Sequence, residues 1–377
     1  MVKFNKPTVL GTEINYIQKA FANEHLCGDG PFTLKCNLLL EEMTLSEKVL
    51  ITTSCTHAIE MASILADISV GDEVIMPSYT FVSTANPFVL RGAIVKFVDI
   101  DPLTMNIDPD KIQEAITPKT RAIVPVHYAG VSCDMEKIMS IADAAKLIVI
   151  EDAAQGVMAS YKGLPLGSIG GLGAFSFHET KNYHCGEGGA LLINNENFIE
   201  RAEIIREKGT NRKRFLRGQV DKYSWVDVGS SYLPSEMNTA FLYAQLQARD
   251  IIYEARIRIW NRYFNELTDL RNSGLLELPH IPEDVVHNAH MFYIKLKNAE
   301  ERSALISFGK TQDVMMVFHY VPLHSAEAGH KFGEFVGEDK FTTIESERLL
   351  RLPLYYSLTE DEQSKVIEII RTFFKNR

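Results

Sequence analysis

The sequence is poor in the features that mark several protein classes. Its five cysteines, Cys27, Cys36, Cys55, Cys133 and Cys185, are scattered without a CxxC pair. That spacing excludes a zinc ribbon or a disulfide framework and fits a reducing compartment. Positive charge is in deficit: 39 Lys and Arg stand against 49 Asp and Glu, for a formal net charge of -10. A chain this acidic, with no block of like charge, carries no electrostatic footprint for a nucleic acid polymer or an anionic membrane. No stretch approaches the roughly 20 apolar residues that span a bilayer. The opening MVKFNKPTVLGTEINY also lacks the apolar core of a secretory signal, so a cytoplasmic protein is expected. Two phosphate-binding signatures are missing: GSIGGLG does not keep the GxGxxG spacing, and no GxxxxGK[ST] loop occurs. His287 and His290 in HNAHMFY lack a third ligand at metal-binding spacing. They read as structural, and no metal is expected. His57 sits on a helical stretch with no partner in view.

What is present suits a large enzyme core. The 377 residues are 46% hydrophobic and 23% charged, enough for two domains or one large domain with an appendage. From about residue 47, short β-branched runs alternate with helical patterns: VLITTS, EVIMPS, IVKFVDI, AIVPVHY and LIVIEDAA are separated by stretches such as THAIEMASILAD and MEKIMSIADAAK. Apolar strands without in/out alternation, spaced by helices, predict a mostly parallel sheet buried on both faces. GAFSFHE and GALLIN read as further strands joined by a polar, Gly-rich turn, and FIERAEIIREKG as a helix. Thr210 to Ser231 is polar with little periodicity and is expected to be a long ordered loop. A long helix from Ser235 follows, expected to break near Arg249. Beyond it HMFYIKL and MMVFHYV read as strands, SALISFGKTQ as a helix, and Thr359 with Glu362 as the capping box of a last helix. The expected division is a large domain with an N-terminal arm over 1–248 and a smaller α+β domain over 249–377.

Three places suggest chemistry. Ser54-Cys55-Thr56 lies between an apolar strand and a helix; its residues either cap the helix or present free amides to a phosphate. Asp152 closes the strand LIVIED, where ligands bind in open α/β sheets, with Gln155 close by; the competing reading for the carboxylate is another helix cap. Lys181 in SFHETKNYHCGEGGA is flanked by His178, Tyr183 and His184 and followed by Gly186, Gly188 and Gly189. Most lysines are surface charges, but a partly desolvated one is an amine nucleophile able to form a Schiff base.

The order SCT, PSYTFVSTANP, EDAAQ, then SFHETKN followed by GEGG resembles the DegT/DnrJ/EryC1/StrS family of sugar aminotransferases, over nearly the whole chain. The resemblance implies an α/β fold of the PLP-dependent transferase fold type I (aspartate aminotransferase-like), a homodimer, and pyridoxal 5'-phosphate as cofactor. Lys181 then matches the lysine that bonds the cofactor, and Asp152 the carboxylate facing its pyridine nitrogen. Gln155 matches the glutamine near the ring hydroxyl, Phe81 the aromatic stacked on the ring, and His178 a histidine close to it. Cys55, Thr56 and Ser176 match phosphate contacts. The family's GYNYRM-like motif reads GSSYLP here, so Ser231 replaces an Asn that reaches the partner's phosphate, and Leu233 replaces an Arg.

The implied reaction converts dTDP-4-keto-6-deoxy-D-glucose to dTDP-4-amino-4,6-dideoxy-D-galactose, with L-glutamate as donor, for a cell-surface polysaccharide. Arg212, Arg217 and Lys222 are candidates for the diphosphate, against the plain reading of a solvated basic loop. Gly28 and Gly30 are candidates for backbone approach to the sugar. His319 and His324 either line the sugar pocket or satisfy the small-domain core. Alternatives are a 4-amino sugar of gluco configuration or a 3-amino sugar. A sugar dehydratase of the same fold has histidine where Lys181 stands. A regulatory protein that holds the cofactor without turnover has no need of Asp152 and Lys181 together.

Overall fold

The computed structural model describes residues 1–376. Its centre is an eight-stranded sheet. In chain order the strands are β1 (Lys48–Thr52), β2 (Glu73–Pro77), β3 (Ile94–Val98), β4 (Thr120–Ile123), β5 (Ile148–Asp152), β6 (Leu172–Ser176), β7 (Gly189–Ile193) and β8 (Gly333–Phe335). They lie in the order β1-β7-β6-β5-β4-β2-β3-β8. From β6 to β8 every neighbouring pair is parallel, whereas β7 runs antiparallel to both β6 and β1.

Both faces of the sheet are covered, which accounts for the unbroken apolar runs. Along β2, Val74 and Met76 enter one core cluster with Ile59, Met61 and Phe88, from helices α3 (Cys55–Leu65) and α4 (Val82–Val89), which follow α1 (Glu13–Ala22) and α2 (Pro31–Thr44) in the chain. Ile75 between them enters the opposite cluster with Ile138 and Ala142 of the helix Met135–Ala145. The two-residue period of a strand thus feeds two apolar layers.

A separate apolar cluster joins Trp260, Tyr263, Phe292, Leu350, Ile367 and Ile370. Here the strand Phe292–Lys295 pairs antiparallel with Leu349–Leu352, and helices Arg249–Glu266, Ala299–Thr311 and Glu360–Lys375 pack on the pair. The capping box is formed: Glu362 N–H donates to Thr359 Oγ1 (3.2 Å), and Thr359 N–H donates to Glu362 Oε2 (3.1 Å). The long helix is interrupted at Ala248, between Glu236–Gln247 and Arg249–Glu266.

Two expectations need correction. The 210–231 segment is not wholly loop, because Arg212–Leu216 forms a short helix. MMVFHYV is not a strand: its ladder is a single bridge between Val317 and Arg351. The following residues leave the sheet, and His319 and Tyr320 turn into the cavity described next. Among the described residues no helix is long and apolar enough to cross a membrane.

Candidate active site

The parallel strands of the main sheet end at a cavity of about 590 Å³, a size suited to a small cofactor and substrate. At its floor is Asp152, the last residue of β5, 6% exposed. The carboxylate accepts hydrogen bonds from Thr84 Oγ1 on α4 (2.6 Å) and from the Ala154 N–H (3.1 Å). Thr84 is fully buried and linked in turn to Thr80 Oγ1 (2.7 Å), so the acid is fixed from two sides. The preceding Glu151 points to the other face, where it meets His127 Nε2 (2.8 Å) and accepts from Gly167, Ile169 and Gly170 N–H groups (2.6–2.8 Å). These contacts pin the end of β5 that presents Asp152.

Lys181 reaches the same cavity from the loop between β6 and β7. Loss of hydration pushes its ammonium pKa below the ordinary lysine value. The positive charge of Arg351 adds to this, against the opposing pull of Cys55 and Asp152. A lysine of lowered pKa holds more of its amine in the free, nucleophilic form.

The third part is the start of α3. Ser54 caps the helix by accepting from His57 N–H, and the Cys55 and Thr56 amides have no protein acceptor among the described residues. A helix start with free amides favours a phosphate. Gly189 on β7 makes room for it, because a methyl group there would collide with the Ser54–Cys55 backbone. Burial and the nearby Asp152 raise the Cys55 thiol well above its usual pKa, so it stays a neutral wall.

Several residues singled out in the sequence meet here: Cys55, Thr56, Phe81, Asp152, Gln155, Ser176, His178, Lys181 and His319 all line the cavity. Phe81 is 55% exposed, its ring 6.1 Å from that of Tyr320. Gln155 is held by the Ala129 N–H (2.7 Å) and donates to the Tyr320 hydroxyl (3.1 Å). His319 contacts the Tyr128 hydroxyl through Nδ1 (2.8 Å) and stacks on Tyr320. Burial, then the positive charge of Arg351 and Lys181, keeps His319 neutral.

Others lie outside the lining. The Gly30 N–H donates to Glu236 (3.1 Å), and methyl groups at Gly28 and Gly30 would strike Leu233, Pro234 and Glu236, so these glycines allow close packing on that segment. Arg212 pairs with Glu207 (3.3 Å) and Arg217 with Glu203 (2.7 Å), while Lys222 is exposed. His324 is held between Ser78 Oγ (2.7 Å) and Asp339 (3.1 Å). Ser231 is exposed and bridges to Glu207.

The sequence reading missed Thr84, His290, Tyr320, Arg256 and Arg351. His290, read there as structural, lines the cavity and meets Asn182 Oδ1 through Nδ1 (3.0 Å). Thr84 carries a local signal in the PSYTFVSTANP motif and Tyr320 one in its neighbour His319; the rest come from elements distant in sequence.

An amine and a carboxylate in one cavity, a phosphate-ready helix start and a parallel sheet with one reversed strand define the class: a pyridoxal 5'-phosphate-dependent transferase of fold type I. The residues fit that cofactor, offering an amine for its aldehyde, an acid for its ring nitrogen and amides for its phosphate. More narrowly, the chain belongs to the DegT/DnrJ/EryC1/StrS aminotransferase family, whose model matches residues 8–371. It is 33% identical to the uncharacterised protein MJ1066 of Methanocaldococcus jannaschii, over 97% of this chain and 96% of that one. It is 34% identical to the spore coat polysaccharide biosynthesis protein SpsC of Bacillus subtilis, over 85% and 84%. A crystal structure of the aminotransferase from Psychrobacter cryohalolentis superimposes with a TM-score of 0.91 at 26% identity, covering 98% of each chain.

Proposed function

We propose that this transaminase aminates a nucleotide-linked keto sugar, converting dTDP-4-keto-6-deoxy-D-glucose to dTDP-4-amino-4,6-dideoxy-D-galactose with L-glutamate as donor. The pairing of Lys181 with Asp152 in one cavity carries the reading. When bound, the cofactor supplies an electron sink for the carbon attached to nitrogen. Asp152, fixed by Thr84 and Ala154, would hold a proton on the ring nitrogen. Lys181 would hold the aldehyde through its amine, and the same amine would carry a proton to and from the substrate carbon. The Cys55 and Thr56 amides, Ser176 and the Thr56 hydroxyl would bind the phosphate, Phe81, Gln155 and His178 would hold the ring, and all of them line the cavity.

The sugar end of the reading is supported by the relative from Bacillus subtilis, whose name places it in polysaccharide biosynthesis. It is also supported by the rings of His319 and Tyr320 in the cavity wall, which suit the face of a hexose, with the buried Tyr79 and Tyr128 packed behind them. We assign the product to cell-surface polysaccharide synthesis in the cytoplasm. The working form is a homodimer, with a cofactor domain over 1–248, to whose sheet Gly333–Phe335 adds the edge strand, and a smaller domain over 249–377.

The test is direct. Purified enzyme with cofactor and glutamate is offered dTDP-4-keto-6-deoxyglucose or its 3-keto isomer, and the product stereochemistry is read by NMR. A galacto 4-amino product supports the proposal. A gluco 4-amino or a 3-amino product overturns the regiochemistry, and a cofactor spectrum unchanged by glutamate would mark a non-catalytic binder.

A further inference from the structure

Arginine never loses its charge in proteins, and a guanidinium taken out of water without an anion is costly. The cavity contains two such groups, Arg256 and Arg351, and neither has a carboxylate within ion-pair distance among the described residues. Arg256 is committed: it donates to the backbone carbonyls of Ala289 (3.2 Å), His290 (2.7 Å) and Leu354 (3.5 Å). Arg351 is not. Its Nε (3.3 Å) and Nη2 (3.0 Å) both donate to one acceptor, the Phe318 carbonyl. The Phe4 ring lies 4.7 Å from the guanidinium carbon. Both contacts hold the group in place, yet the Nη1 edge of the fork has no protein acceptor.

The strand makes this orientation compulsory. Leu350 and Leu352 are buried in the apolar cluster of the smaller sheet. The alternation of a strand therefore puts Arg351, paired across from Tyr293, on the opposite face toward the cavity. The bridge to Val317 fixes its backbone from the other edge.

We propose that Arg351 is the anchor for the α-carboxylate of the amino donor. This rests on the transaminase reading above and names a determinant for its first substrate. A free Nη1–Nη2 edge matches a carboxylate with two parallel hydrogen bonds. The choice of anion follows from distance along the substrates. The donor's α-carboxylate is one carbon from the nitrogen that must replace that of Lys181, and Arg351 is close enough to Lys181 to depress its proton affinity. In a 4-keto nucleotide sugar the diphosphate lies across the hexose ring from the reacting carbon, farther from it than the donor's carboxylate is from the donor's nitrogen. His290 and His319, kept neutral by burial, leave Arg351 as the uncommitted positive charge of that wall.

The experiment compares wild-type holoenzyme with Arg351→Gln and Arg351→Lys. Calorimetric titration with glutarate, which has the donor's carbon skeleton without its amine, should weaken about 10- to 150-fold in Arg351→Gln, as loss of a charge-assisted contact requires. It should weaken less in Arg351→Lys. The KM for glutamate should rise in parallel, while the reverse half-reaction with the aminated nucleotide sugar keeps its wild-type KM. Wild-type binding of glutarate by Arg351→Gln, or weakening confined to the nucleotide sugar, overturns the proposal. A measurement on the wild type alone guards against variants that do not fold: 4-aminobutyrate, lacking the α-carboxylate, should react at least 10-fold worse than glutamate, and equal reactivity refutes the assignment. If wild-type enzyme reacts with no amino acid, the transaminase reading itself falls. If it reacts and Arg351→Gln is unaffected, only the anchor falls.

Discussion

Gly189→Ala tests the phosphate cradle at its narrowest point. Gly189 opens β7 and is paired with Thr52 on one side and Ser176 on the other. An added methyl would meet Cys55 N, Ser54 C and Ser54 O, all backbone atoms of the first turn of α3. Backbone cannot rotate aside, so that turn must retreat by roughly 1 Å, enough to break a hydrogen bond of ordinary length. Losing one charge-assisted amide contact costs about 1.5–3 kcal/mol, or about 10- to 150-fold in the dissociation constant of the cofactor. Overpacking itself costs about 1–3 kcal/mol of stability, which lowers Tm by roughly 1–4 °C in a chain of this size. Absorbance titration of the apo-protein reads the first quantity and a thermal melt the second. Gly171→Ala is the control, since its methyl would find nothing nearer than Ile148 at an ordinary 3.5 Å. If Gly189→Ala melts lower as expected yet binds the cofactor with wild-type affinity, the amides of Cys55 and Thr56 do not hold the phosphate.

Three more outcomes follow from the site. Asp152→Asn should retain the cofactor while turnover falls about 100-fold or more, the scale of losing one preorganised electrostatic partner; near-wild-type turnover would remove Asp152 from the mechanism. Because burial lowers the Lys181 pKa, its free amine rises with pH through a midpoint below the ordinary 10.5. The rate at which apo-protein captures the cofactor aldehyde should rise through that lowered midpoint, and a midpoint at or above 10.5 would contradict the burial argument. Glu151→Gln turns an acceptor into a donor facing buried N–H groups. It should cost about 2–5 kcal/mol, seen as a Tm roughly 3–6 °C lower; an unchanged melt would show that the end of β5 is held otherwise.

Much of this architecture was legible in the chain. LIVIED, EVIMPS and IVKFVDI had to be strands buried on both faces, because no alternation was available to put one face in water, and Ile75 and Val74 do enter opposite layers. The Lys181 and Asp152 positions were legible because a motif order fixed them; local chemistry alone left each level with a surface charge or a helix cap. MMVFHYV misled because β-branched and aromatic residues favour strands. Here Phe318 and Val321 stay exposed, Pro322 lacks an N–H, and the rings of His319 and Tyr320 line a cavity instead of a ladder. β8 is three residues, Gly-Glu-Phe, too short for any pattern. Arg351 and His290 could not be placed from sequence, since only the packing of the smaller sheet on the cavity brings them to Lys181.

The reversed strand has a mechanical consequence. Because β6 and β7 run in opposite directions, the segment between them is a hairpin closed by its own hydrogen bonds: Phe177 N–H to Gly188 O (2.8 Å), Glu179 N–H to Gly186 O (2.8 Å) and Cys185 N–H to Phe177 O (3.0 Å). Its base is tied to the interior of the sheet, and the Lys181 N–H is itself bonded to the His178 carbonyl (2.9 Å), so the backbone that carries residue 181 is braced. Any travel of the amine between its bonded and released positions must come from rotations about the four methylenes of that one side chain, a swing arm on a fixed pivot.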